Sequence, residues 1–223
     1  MTNLAVFDLD NTLINTDSDH AWPQYLIKKS LVDAEETERQ NEKFYRDYQA
    51  GCLDIDAFLK FHLAPLARFS RDELDEMHRE FTAEFIAPHI SDMARTLVEG
   101  HRAAGDELLV ISSTNEFIIT PICKIFGIDN VIGTQLETDA DGNYTGNYTG
   151  IPSLKEGKIT RLHQWLAERG QSQADYEKVY FYSDSRNDLP LLEQVNQPVA
   201  VNPDPVLTLT AAQRGWPILD FVL

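Results

Sequence analysis

The sequence predicts an α/β protein: a three-layer, Rossmann-like core on a parallel sheet, with an all-helical segment inserted directly after the first strand. Three observations carry this. Residues 4–7, LAVF, form an apolar run rich in strand formers and too short for a buried helix. From there to about Pro88 the apolar residues recur at helical spacing, with almost no β-like stretch. Beyond residue 91 helical and strand patterns alternate, as parallel β-α-β units do.

Taken in order, the first strand runs into two acids, in VFDLDNTL at residues 6–13. Within the helical block, SRDELDEM opens with a capping box: Ser70 can accept from the backbone while Glu73 reaches back. Leu74, Met77, Phe81 and Phe85 follow at spacings of three and four, an apolar face for the core. The alternating part then predicts a helix to about Ala104, a strand over 107–111, a helix over 115–126 and a strand in NVIGTQLE. TDADGNYTGNYTG carries an Asp-Gly turn signal and a duplicated Gly-Asn-Tyr-Thr, the pattern of a surface β-hairpin, and is given no chemistry. A helix over 156–169, a strand over 178–183, a short helix after Asn187, the strand PVAV and a last helix and strand complete the series. The expected division is an α/β core of residues 1–14 and 91–223 and a helical segment of residues 15–90, hinged near Ile86-Ala87-Pro88. An insertion that the sheet does not need for stability suggests something to enclose.

Composition narrows the function classes. Asp and Glu number 36 against 19 Lys and Arg, a formal net charge of -17 that repels nucleic acid and anionic lipid. A small molecule is the expected partner, with no nucleic acid and no membrane. No apolar run approaches the roughly 20 residues that span a bilayer, and the chain opens on a strand, so a cytoplasmic location is expected. The two cysteines, Cys52 and Cys123, make neither a metal motif nor a disulfide framework and read as core thiols.

The polar residues that follow the apolar strands are the informative ones. Asp8, Asp10 and Thr12 follow the first, Ser112 and Ser113 follow LLVI, and Asp184 and Asp188 follow VYFYS. In open α/β sheets such carboxyl ends converge on one ligand crevice. Any one Asp there could be a turn or cap residue, but four carboxylates together repel unless a cation lies between them. Oxygen donors point to Mg²⁺, and no His pair or Cys cluster competes as a transition-metal site. Mg²⁺ beside carboxylates, a hydroxyl and a Lys suits phosphoryl transfer.

Asp8-Leu9-Asp10-Asn11-Thr12, Ser112, Lys158 in KEGK and Asp184-Ser185-Arg186-Asn187-Asp188 resemble, in that order, the four motifs of haloacid dehalogenase-superfamily phosphatases. The match covers the whole core. The resemblance implies that Asp8 attacks phosphorus and that Asp10 protonates the leaving oxygen and then activates water. It implies Mg²⁺ held by the Asp8 carboxylate, the Asp10 carbonyl and the Asp184 carboxylate, with Asp188 in support. Ser112 would donate to a phosphoryl oxygen and Lys158 would balance its charge. Lys155 is the rival lysine, and Lys158 is preferred because it opens the helical run KITRLHQWL. Thr12 is expected to fix the turn that holds Asp10, and Asn187 to contact the site.

The inserted helices resemble the C1-type cap of the branch that includes phosphoserine phosphatase and some histidinol-phosphate phosphatases. In that comparison Asp17 stands where the family has the acid that binds the substrate amine, and His62 where it has the Arg that binds the carboxylate. A His cannot replace a bidentate Arg clamp, which disfavours L-phosphoserine. Histidinol phosphate, with an amine and an imidazole but no carboxylate, would suit Asp17, Asp19, His20 and His62. The expected activity is therefore Mg²⁺-dependent hydrolysis of histidinol phosphate through an aspartyl phosphate. Phosphoserine or another phosphomonoester, and phosphoryl transfer to an alcohol, are the alternatives. Asp17 or Asp19 could equally do no more than cap the first inserted helix.

Overall fold

The computed structural model describes residues 2–221. A seven-stranded sheet in the order β4-β3-β2-β1-β5-β6-β7 organises it, from β1 (Leu4–Phe7), β2 (Glu107–Asn115), β3 (Val131–Thr138), β4 (Tyr144–Thr149), β5 (Val179–Ser183), β6 (Gln197–Val201) and β7 (Ile218–Leu219). All pairs are parallel except the β3–β4 hairpin. β1 lies at the centre, with Phe7 in register with Val110 of β2 and Tyr182 of β5. Chain direction reverses its lateral progress here, so the carboxyl end of β1 is the expected ligand crevice.

Alternation along β1 divides the core. Leu4 and Val6 face Leu162 and Leu166 of α7 (Glu156–Glu168), Leu191 and Leu192 of α8 (Leu189–Leu192) and Leu207 of α9 (Pro205–Arg214). Ala5 and Phe7 face Val98 of α5 (Asp92–Ala104) and Ile118, Ile119 and Ile122 of α6 (Glu116–Ile125). Period-two geometry places Asp8 on the α7 side, the side from which Lys158 comes.

Between β1 and α5 the chain is helical: α1 (Ser18–Lys28), α2 (Ala34–Gln49), α3 (Ile55–Leu63) and α4 (Arg71–Phe81), then a widened turn over Thr82–Ile86. Asp17, Asp33, Asp54 and Ser70 each accept a backbone N–H at a helix start, and the Ser70–Glu73 capping box forms. Leu74 and Phe81 are fully buried, with Met77 and Phe85 packed beside them. The segment rests on α6: Trp22 meets Phe117 edge to face at 5.4 Å, and His78 Nε2 bonds the Ile118 carbonyl at 2.8 Å. Its two ends run side by side, the Asn15 N–H donating to the His89 carbonyl at 2.8 Å.

Two expectations change. β2 continues past Ile111 through Ser112, Ser113 and Thr114, because the parallel partner β3 shifts register there and keeps pairing as far as Asn115. The hairpin lies at the surface as expected, and it also braces the helical segment: Tyr148 donates to Asp56 at 2.6 Å and Arg71 lies 3.9 Å above the Tyr144 ring. Cys123 is buried but Cys52 is exposed, because it falls in the α2–α3 turn and not on an apolar face. Among the described residues no helix is long and apolar enough to cross a membrane.

Candidate active site

Asp8 is the first residue beyond β1 and is held there by its N–H, which donates to the Tyr182 carbonyl at 2.9 Å. Its Oδ1 accepts from Lys158 Nζ at 2.7 Å. The same ammonium donates to Asp188 Oδ2 at 2.7 Å, and the Ser183 hydroxyl completes that carboxylate at 2.7 Å. Lys158 sits in the first turn of α7, reached through a tight approach: a Cβ on Gly157 would stand 2.1 Å from the Pro152 carbonyl oxygen. Lys155 instead donates to the Gly51 carbonyl at 2.7 Å, at the end of α2. Of the two lysines, the structure brings Lys158 to the carboxylates.

Asp10 is clasped from two directions. The Ser18 N–H, at the N-terminus of α1, donates to Oδ1 at 2.7 Å, and the Thr114 hydroxyl donates to Oδ2 at 2.8 Å. Ser112 donates to the same Oδ2 at a longer 3.4 Å and accepts the Thr114 N–H at 3.1 Å. Thr114 was missed in the sequence because the strand was expected to stop at 111, which left its side chain unplaced. Asn11, directly after Asp10, takes φ +56°, a conformation that Asn tolerates better than most residues.

Thr12 donates to Asp184 Oδ1 at 3.4 Å, so its hydroxyl serves Asp184 and not the turn around Asp10. Asn187 donates to the carbonyl of Tyr48, a residue of the cavity wall, at 3.1 Å, tying this loop to the C-terminus of α2.

Burial dominates the electrostatics. It pushes the Asp8 carboxyl up to about 7 against the pull of Lys158, with Asp188 and Asp10 adding to the rise. Burial raises Asp10 and Asp184 as well, Asp184 further because Asp8 and Asp188 face it. Burial opposes the charge on Lys158, but Asp188 and Asp8 outweigh it and hold the ammonium protonated. Asp8, Asp10, Asp184 and Asp188 thus share one ammonium, an excess of negative charge that a divalent cation would offset. The donors expected for such an ion from the resemblance would be the Asp8 and Asp184 carboxylates and the Asp10 carbonyl, hard oxygens of the kind suited to Mg²⁺. Only two of these are side chains; among the described residues no three His, Cys, Asp or Glu side chains gather as a metal site.

A cavity opens from Asp8 and Asp10 toward the helical segment, lined on that side by Asp17, Asp19, His20, Phe44, Tyr45 and Phe58. Among the described residues no Lys or Arg lines it. Asp17 caps α1, accepting the His20 N–H at 2.8 Å, while burial and the nearby Asp10 push its carboxyl up to about 7. His62 is not on the cavity wall. Its position on α3 directs it inward, where its ring packs on Phe58 at 4.1 Å and Nδ1 lies 3.6 Å from Asp19. Burial lowers its pKa to about 3, so it is neutral.

The model of the haloacid dehalogenase-like hydrolase family matches residues 5–193. A histidinol-phosphatase of Neisseria meningitidis serogroup C is 75% identical over 221 residues, covering 99% of this chain and all of that protein. A crystal structure of a protein of unknown function from Bordetella pertussis Tohama I superimposes with a TM-score of 0.94 at 41% identity, over the whole of both chains. A substrate-bound phosphoserine phosphatase shares the fold, with a TM-score of 0.70 at 17% identity over 98% of this chain and 93% of that one. With the strand-end acids converging on one crevice and the family model covering β1, β2 and β5, which position them, this chain belongs to the haloacid dehalogenase-like hydrolases.

Proposed function

We propose that this hydrolase is a Mg²⁺-dependent phosphomonoesterase and that its substrate is histidinol phosphate. One observation carries the substrate reading: the cavity above Asp8 presents acids and aromatic rings and, among the described residues, no Lys or Arg. A leaving group with a carboxylate would be desolvated there without a partner, whereas one with an ammonium and an imidazole would find carboxylates and ring faces. The 75% identity to a histidinol-phosphatase supports the same choice. We read residues 15–90 as a cap that encloses this leaving group.

In the proposed reaction Asp8 Oδ attacks phosphorus and the P–O bond to the leaving alcohol breaks, leaving an aspartyl phosphate. Asp10 gives that alkoxide its proton. Burial keeps the Asp10 carboxyl above the usual range, which suits a group that must first donate a proton and then take one from water. Water then cleaves the acyl phosphate, returning Asp8. Lys158, fixed by Asp188, neutralises charge beside Asp8, and the Ser112 hydroxyl, which reaches Asp10 Oδ2 at 3.4 Å, turns to donate to a phosphoryl oxygen in this reading. Mg²⁺ bound at Asp8, Asp184 and the Asp10 carbonyl would supply charge neutralisation on the phosphoryl oxygens.

The test is phosphate release from histidinol phosphate and L-phosphoserine, with Mg²⁺ or EDTA and with Asp8→Asn as control. Mg²⁺-dependent release that favours histidinol phosphate and is lost in Asp8→Asn is expected. Preference for L-phosphoserine would overturn the substrate, and no release from either would overturn the phosphatase reading.

A further inference from the structure

α2 supplies much of the aromatic wall of the cavity, through Phe44, Tyr45 and Tyr48. The helix packs chiefly on α1, within the same helical segment. Its carboxyl end meets the core. There Gly51 takes φ +73°, the Cys52 N–H donates to the Asp47 carbonyl and the Gly51 N–H to the Tyr48 carbonyl, both at 2.9 Å. The Gly51 carbonyl accepts from Lys155 Nζ at 2.7 Å. Asn187 donates to the Tyr48 carbonyl, and Arg186 lies against Gly51, where a Cβ would stand 3.4 Å from its Nε. Donors from two core loops, one of them an ammonium, thus hold the negative end of the helix dipole.

Lys155 makes its contact from an unfavourable position. Its backbone takes φ +53° and ψ -122°, a region that residues with a Cβ rarely adopt. It stands at the N-cap of α7, where a Ser, Thr, Asp or Asn would satisfy the first N–H groups of the helix, and its side chain makes no such bond. The turn is closed all the same: the Gly157 N–H donates to the Leu154 carbonyl at 2.9 Å, and the Lys158 N–H to the Lys155 carbonyl at 3.0 Å. One strained residue therefore holds the end of α2 with its ammonium and the start of α7 with its carbonyl. Lys155 lines an outer cleft beside Arg186 and Asn187 and does not line the cavity above Asp8, so it acts through α2.

Building on the phosphatase reading, with residues 15–90 as its cap, we infer that Lys155 is a positioning residue that latches the cap. Its bond to Gly51 keeps the wall of Phe44, Tyr45 and Tyr48 over the leaving group. Without that bond a smaller fraction of the molecules is closed, and apparent affinity falls with the closed fraction. The Lys158 ammonium keeps its own anchors on Asp8 and Asp188, so turnover of bound substrate changes much less.

The test measures KM and kcat for the better of histidinol phosphate and L-phosphoserine, with amide hydrogen exchange over residues 44–52, in the wild type, Lys155→Met, Lys155→Gly and Lys155→Arg. Met keeps the stem and removes the ammonium. Gly removes the backbone strain as well, so it should melt above Lys155→Met, and it stands in if the Met variant does not fold. Both should raise KM by about tenfold, the lower end for a lost hydrogen bond to a charged group, and speed exchange over residues 44–52. Arg, which keeps a cationic donor, should restore most of the affinity. Unchanged KM in a folded Met or Gly variant, or exchange that stays at the wild-type rate, overturns the latch. So does a loss confined to kcat that Arg does not restore, which would place Lys155 beside the reacting phosphate instead. A wild type that hydrolyses neither substrate refutes the phosphatase reading itself, and the latch with it, before any variant is compared.

Discussion

The Lys158 ammonium donates to Asp8 Oδ1 at 2.7 Å, joining residues 150 apart in the chain, and both side chains are buried. Such a pair contributes little by itself to stability, yet breaking it leaves a buried carboxylate uncompensated.

Replacing Lys158 by Met should therefore harm both folding and turnover. Asp8 and Asp188 lose their shared partner, and a destabilisation of about 3–5 kcal/mol is expected. Urea unfolding measures it. Phosphate release should fall by about a hundredfold or more, as for other charge-stabilising groups; wild-type activity in a folded Lys158→Met would refute the role given to Lys158.

Removal of Mg²⁺ should matter most at high pH. Burial lifts the Asp8 carboxyl from its ordinary value of 3.8 to about 7 in the folded protein. A raised folded pKa means stability that is complete below about pH 4 and declines as pH rises through about 7. A cation bound at the ionised carboxylate should offset the decline. The melting temperature should rise with MgCl₂ more at about pH 8 than at about pH 6, since stabilisation by a ligand follows its affinity for the native state. An equal shift at both pH values would disprove the coupling.

His62 should set part of the acid limit of stability. Burial lowers its pKa from 6.5 to about 3 in the folded protein, so the unfolded chain takes up a proton first as pH falls. The stabilisation is present above about pH 6.5 and is lost as pH falls toward about 3. The raised carboxylates act in the opposite sense, so the comparison is between His62→Phe and wild type: the variant should lose less stability between about pH 7 and about pH 5. Parallel losses in urea midpoints would contradict the assignment of His62 as a buried neutral ring.

Gly157→Ala should displace the start of α7. The added Cβ would stand 2.1 Å from the Pro152 carbonyl oxygen, closer than the backbone can accept. A destabilisation of about 1–3 kcal/mol is expected for such overpacking. Because Lys158 follows directly, kcat should fall as well, and an unaltered kcat would show that the helix start can shift without moving the ammonium.

What the sequence determined by itself is local and periodic. Apolar runs of strand length, helical spacing over residues 15–90 and the acids at 8, 10, 184 and 188 are properties of neighbouring residues, so the parallel sheet and the convergence of the acids were legible before any coordinates. The rest depends on contacts between distant segments. β2 reaches Asn115 only because β3 pairs beside it, and that extension carries Thr114 to Asp10. Lys158 was separated from Lys155 by the tight turn at Gly157, which aims one ammonium at Asp8 and the other at the Gly51 carbonyl. Thr12 reaches Asp184 and His62 turns behind the cavity wall because of how β5 and Phe58 pack against them. Hydrophobic pattern specifies which face of an element is buried; which polar atom then meets which partner is decided by close packing, where a shift of one ångström makes or breaks a hydrogen bond.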